Sequence, residues 1–427
     1  MTIPEPGDPR CSGPMLPSHS DAPPRRSAGL APVRILSVSD SESYLKWATQ
    51  LLSSLPDVEG RVFLIDNPIL PTAEQIASAV AGTDWEHREV PVISRSDLAQ
   101  VIADHSPDIV LGAATGPIVA QVFLTAHTRT DRPALVSGLP GMGLPASGKG
   151  MNYRRLMDAF IAHSSAEVAA YTEASARSQV PCEVMLARLP MLRSKRIPQL
   201  TKSTTEAVPR TLVFAPQAKV PAQRADREAI IAALAEFADR HPDSTAVIKM
   251  RSRPGEFETH HEQHSYFEIL EDFRTRSVPG AARVELGYGP LSNFLPDDSA
   301  LVTVSSTAAL ESIDRGVPTL LISDFGFNAE LLNEVFEDSG ATGSLAEVAA
   351  GSIGFPDPEW LAENYFHLDD GQLRRDLGLL ATRARAGQLP NRRAALLKQK
   401  RMLLRAELRT VTPAPVVSAY RKLRRTR

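Results

Sequence analysis

The segment VTVSSTAALESIDRGVPTLLISDFG, residues 302–326, decides the fold. An apolar strand runs into the hydroxyl-rich turn of Ser305, Ser306 and Thr307, and a helical stretch follows until a glycine and a proline stop it before a second β-branched strand. This β-turn-α-turn-β unit is typical of a doubly wound sheet. Free backbone N–H groups and the helix macrodipole favour an anion at such a helix start. We therefore expect a phosphorylated ligand there.

Glu311 lies four residues past Thr307, about one helical turn along the same face. Its carboxylate could accept hydrogen bonds from ribose or sugar hydroxyls. The alternative is that the hydroxyls only cap the helix and that Glu311 faces solvent, because serine and threonine are common N-cap residues.

Composition excludes several classes of protein. The chain has 427 residues, 43% of them hydrophobic, which is enough for two cores. A net charge of −3 gives no basic field for nucleic acid, and two cysteines, Cys11 and Cys182, exclude a disulfide framework. No apolar run approaches the roughly 20 residues of a membrane span, and the first 30 residues lack the apolar core of a secretory signal. We expect a cytoplasmic protein.

Alternating strand and helix patterns predict an α/β fold of two Rossmann-like doubly wound domains with a cleft between them. Strands are predicted, for example, at residues 33–40, 89–93 and 159–162. The predicted organisation is a disordered tail (1–32), an N-terminal domain (33–193), a linker (194–210), a C-terminal domain (211–390) and a basic helix or tail (391–427).

Two loops of the second domain suit a nucleotide. Lys249, Arg251 and Arg253 follow a predicted strand, at the sheet edge where open α/β sheets bind ligands, and cations there suit phosphates. After the next strand, Tyr288 could stack on a base, and Gly289 lets the backbone approach it. Exposed basic residues and core packing are the alternatives.

The first domain carries small-residue loops after two strands, in the segments GAATGP (112–117) and GLPGMGLPASGKGMNYR (138–154). Their backbone could surround an anion or a sugar, although plain turn chemistry remains the alternative. The candidate binding residues of these loops are Thr115, Gly141, Gly143, Lys149, Tyr153 and Arg154. Because Gly150 follows Lys149, the second loop is no Walker loop, and the first strand lacks a dinucleotide fingerprint, which disfavours an NAD enzyme.

Candidate catalytic bases are Asp40, which ends the first strand, and His163, which follows another strand beside two serines. The trio of His260, His261 and His264 has no cysteine or carboxylate partner that completes a zinc set, so we predict no metal site and no cofactor.

Three pieces resemble bacterial glycosyltransferases of the GT-B fold, specifically those of capsule-polysaccharide and nonulosonic (sialic-type) acid synthesis. They are SVSDSESYLKW (37–47), the loop 138–154 with DAFIAHS (158–164), and VSSTAALESIDRGVPTL (304–320). The resemblance implies that the C-terminal domain binds a nucleotide-sugar donor, CMP-linked in preference to UDP- or CDP-linked, and that the N-terminal domain binds a glycan or lipid-linked acceptor. It departs from relatives with a His-Pro pair after the lysine-bearing strand, since Arg253 and Pro254 stand there.

The resulting hypothesis is a metal-independent sugar transferase. A nucleotide-sugar epimerase of the same architecture and a non-catalytic sugar sensor remain alternatives. The cations of residues 392–427 also suggest peripheral contact with an anionic membrane, against the alternative of a solvated helix.

Overall fold

A computed structural model describes residues 32–192, 208–250 and 263–411. Nearly all of the predicted tail and most of the predicted linker lie outside these residues, as do Arg251, Arg253, His260 and His261. Among the helices of the described ranges, none is long and apolar enough to cross a membrane.

Within the described residues, the first sheet has seven parallel strands: β1 (Val33–Ser39), β2 (Val58–Ile65), β3 (Val92–Ile93), β4 (Ile109–Ala113), β5 (Ala134–Gly138), β6 (Ala159–Ala162) and β7 (Glu183–Leu186). Its helices are α1 (Glu42–Ser54), α2 (Ala73–Val80), α3 (Leu98–His105), α4 (Gly116–His127), α5 (Gly148–Tyr153) and α6 (Ser165–Ser178).

The second sheet has six strands in the described ranges: β8 (Thr211–Phe214), β9 (Thr245–Lys249), β10 (Val284–Gly287), β11 (Ser299–Thr303), β12 (Thr319–Ile322) and β13 (Thr342–Gly343). The remaining helices are α7 (Arg224–Arg240), α8 (Tyr266–Thr275), α9 (Ala308–Asp314), α10 (Leu345–Ala350), α11 (Pro358–Glu363), α12 (Gln372–Arg385) and α13 (Arg393–Val411). The predicted α/β class with two doubly wound domains is confirmed.

Strand order fixes where ligands can bind. The first sheet runs β3-β2-β1-β4-β5-β6-β7 and the second β10-β9-β8-β11-β12-β13, with parallel pairing throughout. The order reverses between β1 and β4 in the first sheet and between β8 and β11 in the second. A doubly wound sheet binds ligands in the crevice outside the carboxyl ends of the strands at such a switch point.

Apolar side chains cover both faces of each sheet. On the first sheet, α1, α2 and α12 pack on one face, and α3 to α6 with α13 on the other. On the second, α7, α8 and α10 pack opposite α9 and α11. Strands buried on both faces, such as β4 and β6, are therefore almost continuously apolar.

The range 211–390 predicted for the C-terminal domain includes a helix that packs on the first sheet. Leu373, Leu377 and Leu380 of α12 lie in the core of that sheet. The amphipathic pattern of α12 shows that one face is buried but not against which sheet. The strand predicted at 89–93 is shorter, β3 alone, because Pro91 has no N–H to donate to a sheet.

Asp108 anchors helix α12 to the first domain. Its carboxylate accepts from the Arg34 backbone N–H at 2.9 Å and side chain at 3.1 Å, and from Arg385 of α12 at 2.6 and 2.9 Å. Burial alone would raise the pKa of Asp108, but the hydrogen bonds from Arg385 and Arg34 outweigh it and lower the pKa to about 2.

We expect Asp108→Asn to lower the free energy of unfolding at pH 7 by about 1–3 kcal/mol, because two guanidinium groups lose their shared partner. The native pKa lies below the unfolded value, so this stability is present above about pH 4 and is lost as the pH falls toward 2. Urea unfolding from pH 7 to 2.5 measures the difference. Arg374→Ala is the control, since this α12 residue pairs with the exposed Asp57 and an exposed pair contributes about 0–1 kcal/mol. Equal losses in the two variants would contradict the anchoring role.

Candidate active site

Asp40 and Thr115 lie at the switch point of the first sheet, just after β1 and β4. Asp40 is fully buried, and its Oδ2 accepts from the Thr115 backbone N–H at 2.9 Å and hydroxyl at 2.5 Å. Its Oδ1 accepts no hydrogen bond from the described residues. Burial raises the pKa of Asp40, and the hydrogen bonds from Thr115 offset only part of that effect. A carboxylate oxygen is therefore left for a further proton donor.

Arg154 lies beside this switch point and is 4% exposed. Its Nε donates to Ser137 Oγ at 2.9 Å, and its terminal nitrogens reach the hydroxyl of Tyr44 at 3.3 Å and the carbonyls of Ala114 and Gly150 at 3.4 Å. All four partners are neutral.

Glu167 in the first turn of α6 holds the glycine-rich loop. This buried carboxylate accepts from the backbone N–H of Gly143 at 2.6 Å, from that of His163 at 2.8 Å and from the hydroxyl of Tyr365 at 2.8 Å. Tyr171 also donates to the carbonyl of Gly143 at 2.7 Å. Since Tyr365 packs in the core of the second sheet, the loop is tied to both domains.

The second switch point carries the hydroxyl-rich turn. Gln217, after β8, donates to the carbonyl of Ser305 at 2.5 Å, and Ser305 Oγ donates to the carbonyl of Leu332 at 2.7 Å. Ser306 Oγ accepts from the Ala308 N–H at 3.2 Å, and Ser306 does not line the cavity described below. Thr307 is half-buried, and its hydroxyl makes no hydrogen bond to the described residues. Of the two residues of the turn that do line it, Ser305 and Thr307, the hydroxyl of Thr307 is thus available to a ligand.

A cavity of about 490 Å³ lies between the glycine-rich loop of the first domain and the hydroxyl-rich turn at the second switch point, and neither Asp40 nor Thr115 lines it. The loop after β5, Arg154 and Tyr171 line one side, and Gln217, Ser305 and Thr307 line the other. The domains touch at its edge, where a Cβ on Gly141 would lie 2.7 Å from Thr307 Cγ2. Another cavity, of about 520 Å³, lies beside Arg34 and Trp85 at the opposite edge of the first sheet and contains none of the predicted site residues.

Other predicted donor residues have partners of their own. Glu311 forms an ion pair at 3.3 Å with Lys46 of the first domain, and its ribose contact stays a prediction. Lys249 is half-buried at the end of β9. Tyr288 packs against the core of the second sheet, and Gly289 is exposed with a φ of 110°.

Lys149 and Tyr153 lie at the two ends of α5. Lys149 is exposed, whereas the Tyr153 ring packs over Gly116, where a Cβ would lie 2.5 Å from it. Neither residue lines the cavity, although Gly150 between them does.

His163 is 1% exposed, and both ring nitrogens are engaged. Its Nε2 accepts from the Trp47 indole N–H at 2.9 Å, and its Nδ1 donates to the carbonyl of Ala187 at 3.0 Å. Burial lowers its pKa and keeps the ring neutral. The structure therefore does not support His163 as a general base, because no ring nitrogen is left for an acceptor hydroxyl.

Sequence patterns did not identify three residues of this region, namely Glu167, Tyr365 and Gln217. Only Glu167 had a signal, since Ser164 and Glu167 have the spacing of a capping box. Ser164 does cap α6, but the Glu167 carboxylate contacts distant residues that no local pattern indicates. Within the described residues, no three His, Cys, Asp or Glu side chains cluster as metal ligands.

Two Rossmann-like domains that face each other across a ligand-sized cavity define the GT-B class of architecture. The chain belongs to the family described as "Putative glycosyltransferase (DUF6716)", whose model matches residues 35–380. No curated protein matches the chain significantly.

Solved structures share the architecture at low identity. Staphylococcus aureus MnaA with UDP is 13% identical, with a TM-score of 0.51 over 87% of this chain and 95% of that one. UDP-GlcNAc 2-epimerase from Methanocaldococcus jannaschii is 9% identical, with a TM-score of 0.47 over 82% of this chain and 100% of that one. A UGT transferase from Siraitia grosvenorii in complex with UDP is 15% identical, with a TM-score of 0.43 over 87% of this chain and 100% of that one. At these identities the similarity concerns the fold alone.

We expect Gly141→Ala to separate the two walls of the cavity. The new Cβ would collide with Thr307 Cγ2, and a φ of 153° strains any L side chain. Small-angle scattering should show a larger radius of gyration, and adding Thr307→Ser, which deletes the methyl group, should recover part of the change. Gly148→Ala is the matched control, because a Cβ there meets only Ser178 Oγ at 3.5 Å. An unchanged radius of gyration in Gly141→Ala would contradict the contact.

Proposed function

We propose that this protein transfers a sugar from a nucleotide-activated donor to the hydroxyl of a glycan or lipid-linked acceptor. Membership of the glycosyltransferase family supports the reaction class. The observation that carries the proposal is the cavity between the glycine-rich loop and the hydroxyl-rich turn, with Thr307 at the start of α9 on one wall and Arg154 on the other. Asp40 lies outside this lining, at the first switch point, which Arg154 contacts through the carbonyl of Ala114.

On the donor side, the phosphate would bind at the turn 305–307. Thr307 lines the cavity and offers a hydroxyl donor, and the positive end of α9 favours the charge that develops on the leaving nucleotide. Lys249, at the carboxyl end of β9, would supply a cation to the same group. Arg251 and Arg253 stay predictions for this role, since they lie outside the described residues.

On the acceptor side, Asp40 would act as the general base. The attacking hydroxyl gives its proton to Asp40 Oδ1 while its oxygen bonds to the anomeric carbon, and the bond from that carbon to the nucleotide phosphate breaks. The raised pKa of Asp40 makes it a better proton acceptor than an exposed aspartate. Thr115 holds the other carboxylate oxygen, which orients the base.

The donor we favour is a CMP-linked nonulosonate, with UDP- and CDP-linked sugars next, and the transfer needs no metal. The support for CMP is the resemblance of the segments 37–47, 138–164 and 304–320 to nonulosonate transferases.

A panel of CMP-, UDP- and CDP-linked sugars, each incubated with and without acceptor glycans, tests the proposal. Nucleotide release that depends on the acceptor supports the transferase. Formation of an epimer without acceptor would replace the transferase with an epimerase, and binding without turnover would replace it with a sensor.

Asp40→Asn should lower kcat about 100-fold or more and leave nucleotide affinity nearly unchanged, because the base acts on the acceptor. Since the base must be ionised, wild-type kcat should fall as the pH drops through the raised pKa of Asp40, and the variant should lose this acid limb. Asp66→Asn is the control, because Asp66 follows the neighbouring strand β2 and is exposed. Full turnover in Asp40→Asn would remove Asp40 as the base.

The second part of the proposal is that the protein contacts an anionic membrane. The outer face of α13 would make this contact. The inner face packs on the first domain through Ala395 and Leu396, and Gln399 donates to the Tyr153 carbonyl. Leu397 and Leu404 are 58% and 56% exposed on the other face. Five cations surround them without an acidic partner among the described residues: Arg393, Lys398, Lys400, Arg401 and Arg405. Exposed leucines within a cationic face are typical of an interfacial helix.

Lys400→Glu with Arg401→Glu should weaken sedimentation with phosphatidylglycerol vesicles at least tenfold at low salt, since each cation near such a surface contributes about 1 kcal/mol. Soluble turnover should not change. Arg240→Glu with Arg276→Glu alters the net charge equally at exposed positions on the second domain and serves as the control. Equal vesicle binding by the two double variants would contradict a role of this face.

A further inference from the structure

The buried charge of Arg154 has no use in the mechanism so far. Of the described residues that line the 490 Å³ cavity, Arg154 alone carries a charge. It forms no ion pair with the described residues, and its hydrogen bonds all go to neutral groups. Elsewhere in the first domain, the buried Arg392 shares Asp158 with Arg132, at 3.3 and 2.7 Å.

An unpaired buried charge is costly, so a guanidinium at 4% exposure without an anion is a destabilising arrangement. Proteins usually keep a destabilising arrangement of this kind only at a functional site. Because Arg154 reaches the cavity wall, an anionic ligand can supply the missing partner.

The side chain is positioned for this role. Its Nε bond to Ser137, at 2.9 Å, is of ordinary length and fixes the guanidinium. The terminal nitrogens make only long contacts of 3.3 and 3.4 Å. Exchanging these contacts for the two oxygens of a carboxylate would create a charge-assisted, bidentate pair.

We propose that Arg154 binds the carboxylate of an acidic sugar in the cavity, and so selects acidic over neutral sugars. This inference rests on the proposed function and deepens it, because it assigns a substrate class to the acceptor-domain wall. With the donor phosphate at the turn 305–307 of the opposite wall, as proposed above, a sugar carboxylate rather than that phosphate would reach Arg154. A neutral sugar would leave the guanidinium unpaired, and that penalty gives the discrimination. The carboxylate can belong to the donor sugar or to the acceptor.

Two arms of one binding experiment separate these sources. In the donor arm, affinities are measured for UDP-glucuronate against UDP-glucose, and for CMP-N-acetylneuraminate against CMP. In the acceptor arm, free glucuronate is compared with glucose. We expect the wild type to favour the carboxylate at least tenfold in one arm, and Arg154→Gln to reduce that preference to about twofold or less, with CMP and UDP affinity unchanged.

Arg154→Lys keeps the charge and should retain part of the preference, which separates binding from a merely structural role. Arg155→Gln is the matched control, since the neighbouring Arg155 bonds to Asn152 and does not line the cavity. Melting temperatures of the variants without ligand verify folding, and Arg154→Lys carries the test if Arg154→Gln does not fold.

The absence of carboxylate preference in both arms, or its persistence in Arg154→Gln, would overturn the inference and leave the transferase proposal intact. A wild-type chain that binds neither nucleotides nor nucleotide sugars, yet favours glucuronate over glucose, would support Arg154 and contradict the donor site.

Discussion

The geometry of the site depends on the carboxylate of Glu167. It accepts hydrogen bonds from the glycine-rich loop, from the residue before α6 and from Tyr365 in the core of the second sheet. Ion pairs also join the same domains, Lys46 with Glu311 at 3.3 Å and Arg188 with Asp314 at 3.7 Å. Glu167 differs from these because it is 1% exposed and accepts three hydrogen bonds. Loss of one of those donors in a buried site costs more than loss of an exposed pair.

The two walls differ in their electrostatics. Around the first switch point, one oxygen of the buried Asp40 accepts no hydrogen bond from the described residues, and the hydrogen-bond partners that Arg154 has among them are neutral. The second wall offers a helix start and the half-buried hydroxyl of Thr307, which are weak, neutral donors. An anionic ligand would thus stabilise both walls: its phosphate the second, and a sugar carboxylate the first.

Local patterns predicted what depends on local physics. Alternation of buried strands and helix starts predicted two doubly wound domains, and β6 has the bounds predicted from its apolar run. Strand β7 was missed because its four residues, EVML, have no clear period at a half-exposed edge. The placement of α12 on the first sheet, the burial of His163 against Trp47 and the partners of Glu167 all depend on residues far apart in sequence. No spacing rule contains that information. The sequence therefore could not show that both ring nitrogens of His163 are engaged, whereas Asp40 stays a candidate base.

The central claim is that the nucleotide and the sugar occupy the cavity between the glycine-rich loop of the first domain and the hydroxyl-rich turn of the second. A crystal structure of the full chain with CMP and a carboxylate-bearing sugar tests it most directly. The account predicts the phosphate within hydrogen-bonding distance of Thr307 at the start of α9, and the sugar carboxylate on Arg154. A nucleotide bound instead in the cavity beside Arg34 and Trp85, at the opposite edge of the first sheet, would contradict it.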